Sequence, residues 1–340
     1  MRKAITILVT SVGSTTALSV IKSLRQDSDR KYRIIGTDIN PLRTIPGNVF
    51  TDVTYRVPEA KRRSYIPALR KICIREGVQF IIPIVDLEVE LLAKNRSILQ
   101  DVGARVCASD YVTVKSCNDK YATYRALQAK NVSSPPVNLQ SELSKESIYR
   151  LHFPLFIKPR RGCSSIDAYR VESYSVLQSY FTRRNDFIVQ PFLKGNQFVI
   201  DVCNDANGKN IVSIPRREIV SKSGIGVKAE TCKDKALQSF GVRISEALNI
   251  KGVANIEVLK RGNKISLIEV NPRFSAGSII STAAGVNLAA LTIGVFSGSA
   301  ITHNSNQWLA GVYMTRYWQE VFYYRHRRLK LAPLYENPKI

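Results

Sequence analysis

The residues whose types and spacing can do chemistry sit in one predicted hairpin. Its first arm reads Ala254-Asn255-Ile256-Glu257-Val258-Leu259, and its second Ile265-Ser266-Leu267-Ile268-Glu269-Val270-Asn271-Pro272-Arg273, joined through Arg261-Gly262-Asn263. Side chains two apart on a strand share a face, so Glu269 and Asn271 project together. Folded symmetrically about Asn263, the hairpin sets Glu257 opposite Glu269, with Cβ atoms roughly 5 Å apart. A bulge at Gly262 would move the register by one and turn Glu257 to the other face. Two carboxylates and an amide oxygen that converge repel one another unless a cation lies between them. Oxygen donors of this kind suit Mg²⁺, which also takes phosphate oxygens from a nucleotide. Two solvent-facing acids would be the plain alternative. Against it, Glu269 interrupts the apolar run Leu267-Ile268-Glu269-Val270, where an unpaired charge is costly to bury. Arg273, just past Pro272, supplies a cation aimed at developing negative charge.

Other chemistries fare worse. The three histidines, His152, His303 and His326, stand in no nucleophile-base spacing. The six cysteines, Cys73, Cys107, Cys117, Cys163, Cys203 and Cys232, form no C-x-x-C pair, which argues against a zinc site or a disulfide framework. A reducing, cytoplasmic setting is the expectation. Arg2-Lys3 followed by Ala4 to Ile21 has the outline of a signal peptide, but Ser, Thr and Gly interrupt it; a buried strand and helix explain it better. The apolar run Leu288 to Phe296 stops at Gly298, short of the roughly 18 residues a membrane span needs. A net charge of +23 attracts acidic or phosphate-rich partners without saying which. Local clusters stand at Arg30-Lys31-Arg33, Lys61-Arg62-Arg63 and Arg325 to Lys330; each is either a solvated face or a functional patch.

The elements that must position the hairpin follow from apolar patterning. Over the first 110 residues or so, Ile5–Val9, Arg33–Thr37 and Phe80–Ile84 read as strands buried on both faces. Between them run helices carrying Ala17, Val20, Ile21 and Leu24, then Ile66, Leu69, Ile72 and Cys73, the second capped by Ser64 and closed by Gly77. Such alternation predicts a doubly wound parallel sheet. A dehydrogenase is disfavoured: the turn Thr10-Ser11-Val12-Gly13-Ser14-Thr15 has one glycine where a dinucleotide fingerprint needs three, although Asp38 could serve as its acid. From Asn118 the pattern becomes α+β. Asn118 or Asp119 caps a helix through Lys130, Phe153–Lys158 and Phe187–Phe192 are strands, and Ala236, Phe240, Ile244, Ala247 and Leu248 mark an amphipathic helix before the hairpin.

With these residues in place the chain resembles the ATP-grasp superfamily, within it the group around carbamoyl phosphate synthetase large chains and biotin carboxylases, from residue 1 to about 300. The family strand E-x-N-P-R matches Glu269-Val270-Asn271-Pro272-Arg273, and its partner acid matches Glu257. The aspartate-lysine pair at a helix start matches Asp119-Lys120, and the lysine in an apolar strand matches Phe156-Ile157-Lys158-Pro159. The adenine clamp matches Gln190-Pro191-Phe192-Leu193, with Gln197 where an acid often contacts the ribose. The resemblance implies ATP on Lys120, Lys158, Gly162, Ser165, Gln190, Phe192, Leu193 and Gln197. It implies Mg²⁺, with Mn²⁺ as the alternative, on Glu257, Glu269 and Asn271. Arg273 would be catalytic, and Arg217 a weaker candidate on the acceptor side. The loop after Lys158, Arg160-Arg161-Gly162-Cys163-Ser164-Ser165-Ile166-Asp167, has serine and aspartate where the family has glycines; Asp167 would repel phosphate if it pointed inward.

The resemblance implies a Rossmann-like domain at 1–115, ATP-grasp lobes at 116–190 and 191–300, and a basic C-terminal extension at 301–340. It implies an ADP-forming carboxylate-amine ligase acting through an acyl phosphate. Its substrates would be small, acidic or phosphorylated molecules, and its assembly could be a homodimer. The chain holds one ATP-grasp copy, which favours a stand-alone ligase over a full carbamoyl phosphate synthetase. The competing reading is a nucleotide-regulated or catalytically weakened member that binds nucleic acid or another polyanion. No helix-turn-helix, RNP motif or aromatic stacking run supports it.

Overall fold

The computed structural model describes residues 4–162, 166–299, 307–317, 319–324 and 327–329. The strands of the first part are β1 (Ile5–Val9), β2 (Tyr32–Asp38), β3 (Val53–Arg56), β4 (Phe80–Ile82) and β5 (Arg105–Val106); β1, β2 and β4 are the expected apolar runs, while the edge strands β3 and β5 carry no such run. They form a parallel sheet in the order β3-β2-β1-β4-β5. Alternate residues of β1 feed two cores. Ile7 and Val9 pack with Val20, Ile21 and Leu24 of helix Thr15–Arg25. Leu8 packs with Leu69 and Cys73 of helix Tyr65–Glu76 and with Val89 and Leu92 of helix Asp86–Lys94. Burial on both faces is why β1, β2 and β4 read as continuous apolar runs. Strand order reverses between β1 and β4, so the loops after them rise at one edge, where open sheets of this kind bind ligands. Glu88, buried at 4% exposure, ties those loops by accepting from Thr10 Oγ1 (2.6 Å), Ser11 Oγ (2.8 Å) and Tyr65 Oη (2.8 Å).

Two antiparallel sheets follow. The first contains β6 (Asn138–Leu139), β7 (Leu155–Pro159), β8 (Tyr169–Val171) and β9 (Phe187–Pro191), ordered β6-β9-β7-β8. The second contains β10 (Asn196–Asn204), β11 (Asn210–Lys222), β12 (Ile225–Thr231), β13 (Gly252–Arg261), β14 (Lys264–Asn271) and β15 (Tyr313–Thr315), ordered β14-β13-β10-β11-β12-β15. The fold is therefore α/β followed by α+β, as the patterning predicts. One face of the larger sheet lies under the amphipathic helix Lys235–Ala247, through Leu237, Phe240 and Ile244 against Ile200, Val202, Ile256 and Val258. The other face is apolar where Cys203, Val212, Ile214 and Val253 join the core of the first domain. The run Leu288 to Phe296 becomes helix Leu288–Ser297 in that core; among the described residues no single helix is long and apolar enough to cross a membrane.

Local signals hold unevenly. Gly77 closes its helix in the left-handed region (φ 61°), and Asp119 caps helix Lys120–Ala129 by accepting from Ala122 N. Ser64 is no cap: it is helical itself and its side chain bonds nothing at the helix start. The final strands β16 (Phe322–Tyr324) and β17 (Arg327–Leu329) pair as a ribbon. Beyond that backbone, the cluster Arg325 to Lys330 lies outside the described residues.

Candidate active site

The hairpin turns on Gly262 and Asn263, with Arg261 opposite Lys264, so it is not centred on Asn263. That turn alone would pair Glu257 with Ile268. Instead β14 bulges at Ile268: Val258 faces Leu267, the next pair is Glu257 with Glu269, and Ile268 is left over. The bulge also reverses the parity of the strand. Leu267 and Val270 both enter the helix-covered core, three residues apart, while Glu269 and Asn271 turn to the open face. The predicted pairing is thus correct, and its cause is a bulge at Ile268, not a symmetric turn.

Directly opposed residues share a face, so the ladder defines two polar rows. One runs Glu269, Glu257, Val199, Arg216; the other runs Asn271, Asn255, Asp201. Asn271 Nδ2 donates to Asn255 Oδ1 (3.1 Å) and Glu257 Oε1 (3.3 Å), and Asn271 Oδ1 lies 3.4 Å from Arg273 Nη2. Arg273 reaches the first domain. Its Nε and Nη2 donate to the two oxygens of Asp86, at 2.5 and 3.0 Å. Asp86 opens the helix after β4, 187 residues away in sequence, and nothing in the local pattern announces it.

The smaller sheet supplies the facing wall. Phe156 pairs with Gln190 and Lys158 with Ile188, so Lys158 and Gln190 share a face. Lys158 Nζ donates to the carbonyl of Ile268 (2.9 Å), the residue that the bulge frees from the ladder. Lys120 Nζ donates to Gly162 O (2.8 Å) and lies 3.4 Å from Glu269 Oε1. Lys120, Lys158, Glu257, Glu269, Asn271 and Arg273 therefore belong to one cluster. Gln190 is buried and, with Lys120 and Glu269, lines a cavity of about 30 Å³. The Phe192 ring lies 6.4 Å from Phe156 with Arg170 over it, and Leu193 and Gln197 are partly buried nearby on the chain. Gln197 pairs with Leu259, two residues along from Glu257 and on the same face.

Two expectations change. Arg217 is exposed and is not brought to the cluster; alternation along β11 turns Arg216 to the polar face instead. Arg216 is saturated: it pairs with Asp201 and donates to Glu218 Oε1 (2.8 Å) and Ser275 Oγ (3.1 Å). A Cβ at Gly277 would come within 2.8 Å of its guanidinium, so glycine is needed there. Asp167 does not point at the cluster: it accepts from Tyr169 Oη (3.0 Å) and pairs with Arg184, in a left-handed conformation (φ 56°) of the kind glycine favours. Ser165, with Cys163 and Ser164, lies outside the described residues.

The charges shift one another. Burial, then the Glu269 charge, push the Glu257 carboxyl up to about 7. Desolvation pulls the Lys158 ammonium down to about 8, with Glu269 opposing and Lys120 adding to the fall. Burial works against the charge on Arg273, and Asp86, with Glu269 and Glu257, more than offsets it. Between its ordinary 4.5 and about 7, folded Glu257 keeps a proton that the unfolded chain has lost. Stability from this group therefore falls as pH rises through that window, by at most about 1.4 kcal/mol per pH unit. Nucleotide-free Glu257→Gln should accordingly gain on wild type in Tm as pH rises across it. A difference that stays constant with pH would count against the shifted carboxyl.

The donor set fits a hard divalent cation: two acids, one already inclined to share a charge, beside an amide oxygen. Comparisons with known proteins agree with this architecture. Residues 117–277 match the family described as ATP-grasp domain, and residues 7–107 that described as PylC-like, N-terminal domain. The chain is similar to the carbamoyl phosphate synthase large chain of Thermoanaerobacter sp. (strain X514), 23% identical over 58% of this chain and 20% of that one. It therefore spans about one fifth of that relative's length. It is also similar to a D-alanine--D-alanine ligase of Clostridium perfringens, 24% identical over 57% of this chain and 71% of the ligase. In fold it matches the biotin carboxylase domain of Hydrogenobacter thermophilus 2-oxoglutarate carboxylase, solved with MgADP and bicarbonate. That match has a TM-score of 0.74 at 12% identity, over 92% of this chain and 74% of that one.

Proposed function

Because the chain belongs to the ATP-grasp superfamily, we propose that it is an ADP-forming ligase that activates a carboxylate as an acyl phosphate and passes it to an amine. The observation that carries this reading is the convergence of Glu257, Glu269, Asn271 and Arg273 on one sheet with Lys120 and Lys158 facing them. In it, residues 1–115 form the first domain, 116–190 and 191–300 the two lobes, and 301–340 the extension.

Lys120 and Lys158 now lean on Glu269 and on the Ile268 carbonyl; with nucleotide bound they would hold phosphate oxygens instead, a charge-assisted contact. Gln190, Phe192 and Leu193 would hold adenine and Gln197 the ribose, with Gly162 and Ser165 as further nucleotide-binding positions. Glu257, Glu269 and Asn271 would hold Mg²⁺ or Mn²⁺, which supplies neutralisation of the triphosphate charge. Arg273, held in place by Asp86, would face the transferring phosphoryl group. Phosphoryl transfer of this kind is positioning and charge stabilisation, so no nucleophilic Cys or His is required.

Hydroxylamine tests the reading, because it intercepts an acyl phosphate as a hydroxamate. A panel of carboxylic acids with Mg-ATP and hydroxylamine should yield hydroxamate and ADP in equal amounts for the right acid. AMP and pyrophosphate would mean adenylate chemistry and end this proposal.

A further inference from the structure

The cluster Lys61-Arg62-Arg63 plays no part in the candidate active site. It opens a groove of about 910 Å³ across the outer side of helix Tyr65–Glu76 in the first domain. Five cations line it, Lys61, Arg62, Arg63, Arg70 and Lys71, and no acid does. The helix's own acid, Glu76, is taken by Arg33 and Arg75. Like charges this close repel one another and lower stability, so their grouping calls for a negative partner. Apolar side chains stand among them: Ile74 is 56% exposed and Ile98 is 40% exposed, both on the groove. Pro67, Arg70 and Ile74 follow helical spacing, with Arg63 just before the helix start, so charge and aliphatic surface adjoin along one stripe.

We propose that this groove docks an acidic amphipathic helix of a partner protein. Aliphatic floor and cationic walls suit a helix that presents leucine-like side chains between carboxylates, as in other helix-in-groove recognition. Nucleic acid is the poorer match. Single strands are held by stacking on aromatic rings, and no aromatic residue lines the groove. A phosphate backbone also gains nothing from Ile74 and Ile98. A second copy of this chain is disfavoured by its own +23 charge.

The test titrates the whole chain with a fluorescein-labelled helical peptide of Leu and Glu in amphipathic spacing. Unstructured poly-Glu and oligo-dT of equal charge serve as competitors. The substituted positions are exposed and carry no core contact of the fold, and charge reversal relieves their mutual repulsion, so Tm should hold or rise slightly in the variants. Peptide affinity should drop about tenfold or more in R63E/R70E/K71E, the sum of several modest exposed-charge terms. It should drop a few-fold in Ile74→Ser, and the competitors should bind at least about tenfold more weakly than the peptide. Peptide affinity untouched by the triple variant would overturn the proposal. So would poly-Glu or oligo-dT binding as tightly as the peptide, because either result would reduce the groove to plain charge attraction.

Discussion

Glu269→Gln is expected to abolish Mg-dependent ATP turnover, by about 10²-fold or more, while the nucleotide-free protein melts at or slightly above the wild-type temperature. Both halves follow from its surroundings. Glu269 stands opposite Glu257 on the ladder and 3.4 Å from the Lys120 ammonium, in reach of both a facing lysine and the second acid. With a cation and phosphates present, its charge closes the metal set. With none present, burial and then this same charge hold the Glu257 carboxyl above its ordinary range. Its removal therefore relieves a repulsion in the empty site and takes away a ligand in the loaded one. ADP release and Tm measured on one preparation separate the two effects. A variant that keeps most of its ADP release would remove Glu269 from the centre of the site. A large fall in Tm would mean that Glu269 is structural and that the activity loss says nothing about metal.

How far the site could be read in sequence depended on whether each contact is local. Glu269, Asn271 and Arg273 lie within five residues, and strand alternation alone predicts a shared face for the first two. The partnership with Glu257 was legible as an outcome but not as a cause. A turn at Gly262-Asn263 and a bulge at Ile268 each displace the register by one, and their displacements compensate. No residue type at Ile268 marks a bulge; its signature is the parity conflict of Leu267 and Val270 both entering the core. Arg217 stays away from the cluster because parity along Val212, Ile214, Arg216 and Glu218 puts Arg216, and not Arg217, on the polar face. The shared face of Lys158 and Gln190 depends on the antiparallel pairing of β7 with β9, which two isolated apolar runs do not disclose. The first domain was legible as a sheet because its three central strands are buried on both faces; the partly exposed edge strands β3 and β5 were not. That it supplies a carboxylate to the site was not.

That carboxylate gives the second large effect. Arg273→Ala should depress hydroxamate formation by about 10²–10³, the scale of losing one group that stabilises developing negative charge. Asp86→Ala removes no group from the proposed reacting centre, yet should cost at least about tenfold in kcat, because misplacing a charge by about 1 Å is enough for losses of that size. Asp86 grips both Nε and Nη2 of Arg273, so the guanidinium plane is fixed by a fork and not by a single contact. Without it Arg273 stays partly buried, tethered by the Phe274 carbonyl at 3.1 Å and by Asn271 Oδ1, and would swing toward Glu257 and Glu269. The stability cost should be about 1–3 kcal/mol, that of a partly buried charged hydrogen bond left unmade. A double-mutant cycle distinguishes positioning from a general weakening of the fold. If Asp86 acts through Arg273, the variant lacking both should be no slower than Arg273→Ala alone, with KM for ATP little changed throughout. Asp86→Glu, which keeps the fork at a longer reach, should recover part of the rate. Losses that multiply in the double variant would instead give Asp86 a role of its own at the edge between the two domains.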